Sequence, residues 1–205
     1  KYDYEKLGFD PAKSSLRLAY ALGEPLPGDV RKRIQNEWNM DVRIGYGLTE
    51  VGSGAECHIR DYIHWPEDQT YVEVIDPETG EVLGEDEEGE LVYTTLTRTG
   101  TMAIRFRSGD ISRLTFDECE CGRKNVRIAL VKYRQDELAK IKGTLTSPYS
   151  IDDAILRYPE IRNYLFVIDK NAKGIDTVKV YVETEKQKPE ISSLFLTNRE
   201  DFAKH

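Results

Sequence analysis

The chain has 205 residues, 39% apolar and 32% charged, the length and balance of a soluble globular protein of one large domain or two small ones. No apolar run approaches the ~20 residues that span a bilayer and no secretory signal opens the chain, so no membrane role is expected. A net charge of −8 with no basic stripe argues against nucleic acid as a partner and leaves any anionic ligand to be held by local groups. Three cysteines without an export signal point to a reducing cytoplasm, and to thiols or metal ligands more than disulfides. The first residue is Lys1, not Met, as expected for a piece of a longer chain.

Residues 14–20 are expected as a strand, because Leu16, Leu18 and Tyr20 alternate with Arg17 and Ala19. Pro25 and Pro27 then end regular structure. Gly28-Asp29 opens a helix with Asp29 as candidate N-cap, and Val30, Ile34 and Trp38 share one of its faces. Val42, Arg43 and Ile44 read as a short strand. It delivers Gly45-Tyr46-Gly47-Leu48-Thr49-Glu50, a glycine-bracketed turn, followed by the flexible stretch Val51-Gly52-Ser53-Gly54. This strand–loop–helix–strand–loop unit brings two loops to the carboxyl ends of its strands, where α/β sheets bind ligands. In the turn, Tyr46 could stack on a flat ring, Thr49 could bond a phosphate oxygen and Glu50 could hold a divalent metal. A surface turn needing two glycines for its dihedrals would use the same residues, and on these six alone it is the simpler reading.

From Tyr71 the apolar period becomes two. Residues 71–75 read as a strand, 76–80 as a turn and the acidic run 85–88 as a solvated loop. Residues 90–96, 103–106 and 111–115 read as further strands, so 71–131 is expected as a mostly antiparallel β-subdomain, a small barrel or a curved sheet. Residues 133–143 are strongly charged and end at Gly143. Pro148 and Ser150 open a helix through Arg157, with Ile151, Ala154 and Ile155 facing inward. Residues 164–168 and 177–182 read as strands around a turn at 170–174, and Pro189 starts a last helix. Residues 137–205 thus look like a small α+β domain.

Three constellations could carry chemistry. Ser108-Gly109-Asp110 falls between two expected strands; a carboxylate there can accept both hydrogen bonds of a ribose diol, although an ordinary turn aspartate looks the same. In Arg134-Gln135-Asp136 the arginine fork could bridge ribose and phosphate oxygens, or make an exposed ion pair of little worth. Cys119-Glu120-Cys121-Gly122 is a C-x-C turn, and Cys57 and His64 lie in the loop after Glu50. Cys57, His64, Cys119 and Cys121 would complete a closed tetrahedral zinc site and pin the loop 51–70 onto the β-subdomain. His58 is the alternative imidazole. Three buried or idle thiols beside a surface histidine is the competing reading, since the spacing matches no standard finger. Trp38 and Trp65 read as packing residues.

Together these segments resemble the adenylate-forming acid–coenzyme A ligases, and most the phenylacetate–coenzyme A ligase branch. The likeness rests on Tyr46-Gly47-Leu48-Thr49-Glu50 and on Gly23-Glu24-Pro25. It rests also on Gly109-Asp110 with Thr94-Thr95-Leu96 and Ile104-Arg105-Phe106-Arg107 nearby. A collinear span then carries Arg127-Ile128, Arg134-x-Asp136, Lys142-Gly143, Pro148 and Ile151. The resemblance implies an α/β and α+β chain: the end of a large adenylate-forming domain (a β–α–β unit plus a β-subdomain), then a small C-terminal α+β domain. Residues 1–70 would end the nucleotide-binding subdomain and hold the zinc-pinned loop, 71–135 would form the β-subdomain, 136 the hinge and 137–205 the small domain.

The resemblance also implies a reaction and its participants. A small aromatic or other carboxylic acid is joined to coenzyme A through an acyl-adenylate, using ATP and Mg²⁺ and releasing AMP. Gly23, Glu24 and Pro25 would wrap the adenine, and Tyr46 with Gly47 would lie on its face. Thr49 would hold the α-phosphate and Glu50 the Mg²⁺. Asp110 and Arg134 would hold the ribose, Arg127 would join the nucleotide-binding set, and Asp136 would be the hinge. The branch carries Cys…His and Cys-x-Cys-Gly at the points of Cys57, His64, Cys119 and Cys121, which implies a structural Zn²⁺. It also implies a homodimer. Two stretches depart from the pattern: Met102-Ala103 replaces the family's proline, and Thr144-Leu145-Thr146-Ser147 stands where Val-Asn-Val-Phe is common. The family's phosphate loop does not occur upstream of Tyr46, and the late Gly-Lys segment is not reached by His205. The resemblance therefore covers nearly all of this chain but only the carboxyl-side half of the enzyme. The rival expectation is a non-catalytic nucleotide-binding or zinc-stabilised scaffold half that needs an N-terminal polypeptide.

Overall fold

The computed structural model describes residues 7–131, 133–137, 139–141, 144–158, 160–170 and 176–184. Lys142-Gly143, the expected turn beyond Lys170 and the expected helix at Pro189 lie outside the described residues. Strand β1 (Leu18–Ala21) starts later than the alternation predicts. Helix α1 (Gly28–Trp38) follows Pro27, which makes no side-chain cap bond. Asp29 is therefore not the N-cap; it sits in the first turn, where its charge suits the positive end of the helix. Val30, Ile34 and Trp38 are half-buried on the inner face.

Strand β2 (Asp41–Leu48) runs well past the expected 42–44, and β3 (Gly52–Glu56) occupies the stretch expected to be a flexible loop. Gly45-Tyr46-Gly47-Leu48 is thus strand, and the hairpin turn lies at residues 49–51. The glycines serve close packing rather than turn dihedrals. A Cβ on Gly47 would fall 2.6 Å from the Gly52 carbonyl oxygen, and one on Gly54 only 2.3 Å from that of His64. Glycine is what lets these backbones approach.

Strand β4 (Tyr62–His64) pairs with β3; β5 (Thr70–Ile75) and β6 (Gly89–Thr95) form an antiparallel pair. Strand β7 (Phe106–Ser112) begins three residues after the expected 103, and β8 (Leu114–Thr115) and β9 (Arg127–Ala129) follow. The first sheet runs β1-β2-β3-β4-β9-β8, with only the β1–β2 pair parallel. The second runs β10-β7-β6-β5 and is antiparallel throughout, β10 being Tyr133–Arg134. The first sheet takes strands from both sides of residue 70. One core fills the space between the sheets, with Ile63, Trp65, Leu91, Tyr93 and Ile128 fully buried. Each such side chain stabilises the fold by roughly 1.5–3 kcal/mol.

After a single 3-10 turn (Gln135–Glu137) the chain forms a small α+β unit. Strands β11 (Ala139–Ile141) and β12 (Thr144–Thr146) pair, helix α2 (Pro148–Ile155) follows, and β13 (Ile161–Lys170) pairs with β14 (Asp176–Thr184). Ser147 caps α2, its Oγ accepting from the Ser150 N–H at 3.2 Å. The whole is an α/β and α+β chain. No described helix is long and apolar enough to cross a membrane.

Candidate functional site

A cleft of about 240 Å³ opens where the β1–α1 loop, β2, β7 and β10 meet. Gly23, Glu24 and Pro25 line it from the loop, Tyr46 and Gly47 from β2, Asp110 from β7 and Arg134 from β10. Asp110 is aimed into it by a β-bulge. Glu90 pairs with Ile111 and Val92 with Arg107, so Leu91 alone faces three residues of β7. Gly109 sits in the left-handed region at φ 78°, the conformation that such bulges assign to glycine. Ser108-Gly109-Asp110 is therefore a bulge inside one strand, not a turn between two. Ser108 Oγ donates to the Leu91 carbonyl at 2.8 Å and accepts from the Asp110 N–H at 3.0 Å, which fixes the bulge.

Asp110 is buried, and both its oxygens are engaged. Tyr46 Oη donates to Oδ2 at 2.6 Å, and Arg134 Nη1 to Oδ1 at 3.1 Å. Burial pushes the carboxyl above its ordinary value, against the pull of Tyr46 and Arg134. The same burial, with the charge of Asp110, pushes the Tyr46 hydroxyl up, so it stays protonated. Arg134 also donates from Nε to Asp136 Oδ1 at 3.1 Å. Burial works against its charge, but Asp110 and Asp136 outweigh it and hold the guanidinium pKa above its ordinary value.

The remaining expected site residues fall elsewhere. Exposed Thr49 and half-buried Glu50 sit on the β2–β3 turn and do not line the cleft. Arg127 lies on β9 opposite His64, over the Tyr62 ring at 5.0 Å, and also does not line the cleft. Trp65 is a packing residue, fully buried, with its Nε1 donating to the Thr70 carbonyl at 3.0 Å.

On the far side of β4, Cys57, His64, Cys119 and Cys121 converge, their donor atoms all within 4.8 Å of one another. Cys57 follows β3, His64 ends β4, and the two other cysteines come from the loop after β8. Cys57 Sγ and Cys119 Sγ are 3.7 Å apart, far beyond a disulfide bond; Cys121 Sγ is 3.5 Å from His64 Nε2. A zinc tetrahedron with bonds of ~2.3 Å to sulfur and ~2.0 Å to nitrogen has S···S and S···N edges of roughly 3.8 and 3.5 Å. The donor set fits that ion in type and in spacing. His64 Nδ1 lies 3.3 Å from Asn125 Oδ1, a contact that places its proton on Nδ1 and turns the Nε2 lone pair toward the sulfurs. Burial, joined by the charge of Arg123, pushes His64 below its ordinary pKa, and the Arg123 N–H lowers the Cys121 thiol. Both shifts favour the ligating forms, while burial pushes the Cys119 thiol the other way, above its ordinary value. His58 is exposed and outside the group.

The sequence profile described as AMP-binding enzyme matches residues 3–99. The phenylacetate–coenzyme A ligase of Thermus thermophilus is 31% identical over 188 residues, 90% of this chain and 42% of its own length. That of Aromatoleum evansii is 35% identical over 187 residues, 88% of this chain and 41% of its own. The chain belongs to the adenylate-forming superfamily, in its phenylacetate–coenzyme A ligase branch. A solved 2-hydroxyisobutyryl-CoA ligase, in its postadenylation state with R3-HIB-AMP, superposes at a TM-score of 0.77 and 27% identity, covering 89% of this chain and 40% of that one. The chain thus spans about two fifths of the length of these ligases.

Several residues in and around this cleft escape motif reading. Tyr93, fully buried on β6, donates to Tyr46 Oη at 3.2 Å. Arg98 Nη1 donates to the Thr49 and Glu50 carbonyls at 2.8 and 3.2 Å, holding their turn. Glu56 is buried beside Cys57 and accepts from Arg31 Nη1 and Nη2 at 3.1 and 2.7 Å, and from the Ile44 and Asp61 N–H groups at 2.7 and 3.1 Å. The only sequence signal for Glu56 is an acidic residue in a strand of small residues.

Proposed function

We propose that the chain is the carboxyl-side portion of an ATP-dependent carboxylic acid–coenzyme A ligase of aryl or phenylacetate type, working through an acyl-adenylate. One observation carries this reading: in a member of this family, Gly23-Glu24-Pro25, Tyr46, Asp110 and Arg134 line a single cleft of about 240 Å³. A carboxylate oxygen of the acid attacks the α-phosphorus of ATP, and the bond to pyrophosphate breaks. The thiolate of coenzyme A then attacks the acyl carbon, and AMP leaves. Positioning and neutralisation of phosphate charge are what such a protein must supply.

In this reading Gly23, Glu24 and Pro25 enclose the adenine, and Tyr46 and Gly47 form the adjoining wall. Asp110 accepts from the ribose hydroxyls, and Arg134 fixes it there. Thr49 bonds the α-phosphate when the acid and nucleotide are bound. Glu50 suits Mg²⁺, which is held by one or two carboxylates plus phosphate oxygens and neutralises phosphate charge. Arg134 is bonded to Asp110 on one side and Asp136 on the other, which suits Asp136 as the hinge at residue 136 between the parts 71–135 and 137–205. Cys57, His64, Cys119 and Cys121 hold a structural Zn²⁺ that pins the β3–β4 segment to the loop after β8, and no chemical step runs through it. Reduced thiols of this kind fit a cytoplasmic setting.

A second reading has one observation in its favour, the coverage of two fifths of the relatives. In it the chain is a nucleotide-binding or zinc-stabilised scaffold half that pairs with another polypeptide, or with its own copy. Calorimetric titration of AMP and of ATP–Mg, followed by a pyrophosphate assay, separates the two. Binding by the wild-type chain that Asp110→Ala weakens at least ~10-fold, the worth of a hydrogen bond to a charged group, supports the ligase reading. No pyrophosphate release by the chain mixed with an N-terminal polypeptide, whether or not AMP binds, favours the scaffold. Pyrophosphate release restored by an added N-terminal polypeptide would show where the rest of the site resides.

A further inference from the structure

The ring of Tyr46 is only half of what that residue offers. Its ring packs against Trp65 at 6.1 Å between centroids, while its hydroxyl reaches from the first sheet to the second. There it donates to Asp110 Oδ2 at 2.6 Å, in the short range of charge-assisted O–H···O⁻ bonds. Because that proton is committed, the Tyr46 oxygen serves as acceptor for Tyr93 Oη at 3.2 Å. The donor direction is therefore fixed along the series Tyr93, Tyr46, Asp110, and it starts from a fully buried residue. A carboxylate has about four lone-pair sites. Tyr46 occupies one on Oδ2 and Arg134 one on Oδ1, which leaves one on each oxygen at the cleft. The terminal torsion of an aspartate is soft, so a carboxylate without these two bonds would not hold its plane.

We infer that Tyr46 and Tyr93 are positioning residues for the sugar: their hydroxyls hold the Asp110 carboxylate in the plane that accepts both ribose hydroxyls of an adenosine nucleotide, and so set a preference for ribo- over deoxyribonucleotides. The inference rests on the nucleotide reading above. Tyr46 acts through Asp110, and Tyr93 acts through Tyr46. The two hydroxyls therefore work in series, and removing the second after the first has little left to take.

The test is calorimetry of AMP and 2′-deoxy-AMP with the wild-type chain, Tyr46→Phe, Tyr93→Phe and the double variant, each checked for folding by circular dichroism. Phenylalanine keeps the ring and its packing. Tyr46→Phe is expected to weaken AMP about 10-fold, the worth of a hydrogen bond to a charged group, and 2′-deoxy-AMP much less, so that the ribose preference collapses. Tyr93→Phe is expected to act in the same sense by about 3-fold, and the double variant to match Tyr46→Phe within about 2-fold. Equal weakening of both nucleotides, or an unchanged ribose preference, overturns the inference while leaving nucleotide binding intact. No AMP binding by the folded wild-type chain overturns the nucleotide reading and the inference with it. A ligand-free arm uses carboxyl-carbon NMR. Loss of the Tyr46 donor is expected to raise the Asp110 titration midpoint, because that bond favours the charged form; an unmoved midpoint overturns the inference.

Discussion

The cysteine–histidine cluster and the cleft at Asp110 both draw on neighbouring strands of the first sheet, yet they use polar groups in opposite ways. In the cluster all four donor atoms face one another within 4.8 Å, and Cys57, His64 and Cys119 are buried. In the cleft, Asp110 and Arg134 each keep hydrogen-bonding capacity beyond the bonds they make to each other and to Tyr46 and Asp136. The first arrangement has the donor types and the spacing to close on an ion. The second holds a charged carboxylate in a buried place, which costs stability and leaves it ready for a ligand. β3 and β4 lead to the cluster, β2 leads to the cleft, and Glu56 joins them.

The largest effect that could break this contrast is metal removal. The protein, purified without chelator, is expected to carry about one zinc per chain, from the four-ligand set. Stripping it is expected to cost about 4 kcal/mol or more, the range of the largest single-site losses. Metal analysis that finds no zinc, or a melting temperature that chelator leaves unmoved, would remove the cluster from the holding role. Glu56→Ala comes next. The Arg31 side chain is only 11% exposed, and breaking a buried pair by removing one partner costs about 3–5 kcal/mol. Glu56 also receives Ile44, on the strand that carries Tyr46, and Asp61, in the loop between Cys57 and His64. Its loss is therefore expected to lower the urea midpoint and to weaken both zinc retention and AMP binding. An effect confined to one region would show that the two are independent.

How far the sequence spoke for each region follows from the physics of each. Cys57, His64, Cys119 and Cys121 are legible by type alone, because thiolates and imidazole are the donors that zinc prefers. Their spacing is not: the sequence separation of 62 from Cys57 to Cys119 is closed by the β3–β4–β9–β8 pairing, which no local pattern encodes. The glycines around Tyr46 misdirect for a definite reason. Glycine is selected both for positive φ and for close approach; Gly47 lets the β3 backbone approach and Gly45 leaves room for the Leu22 side chain, so the stretch is strand rather than turn. Gly109 does serve the first, at φ 78°, but a bulge and a turn present the same residues. Tyr93 reads as one more apolar position of a buried strand, and its hydroxyl gains meaning only once Tyr46 is placed beside it. Among the described residues after 137, the order of elements, strand pairs around α2, is legible because Pro148 and the period-two segments mark it locally.

The smallest effect concerns the cost of the cleft itself. Burial holds the folded Asp110 carboxyl above its unfolded value of 3.8. A group whose folded pKa is raised contributes fully below the unfolded pKa, and that contribution is lost as pH rises through the folded value. At neutral pH the charged Asp110 therefore costs stability that a neutral side chain of the same shape does not. Asp110→Asn is expected to raise the melting temperature at pH 7, and the gap to the wild type should close as pH falls toward 4. The same variant should lose AMP affinity, because an amide cannot accept from both ribose hydroxyls while keeping Tyr46 and Arg134. Scanning calorimetry at the two pH values decides it. A variant that is less stable than the wild type at pH 7 would mean that the bonds from Tyr46 and Arg134 outweigh burial, and that the cleft, like the cluster, is built to hold the fold.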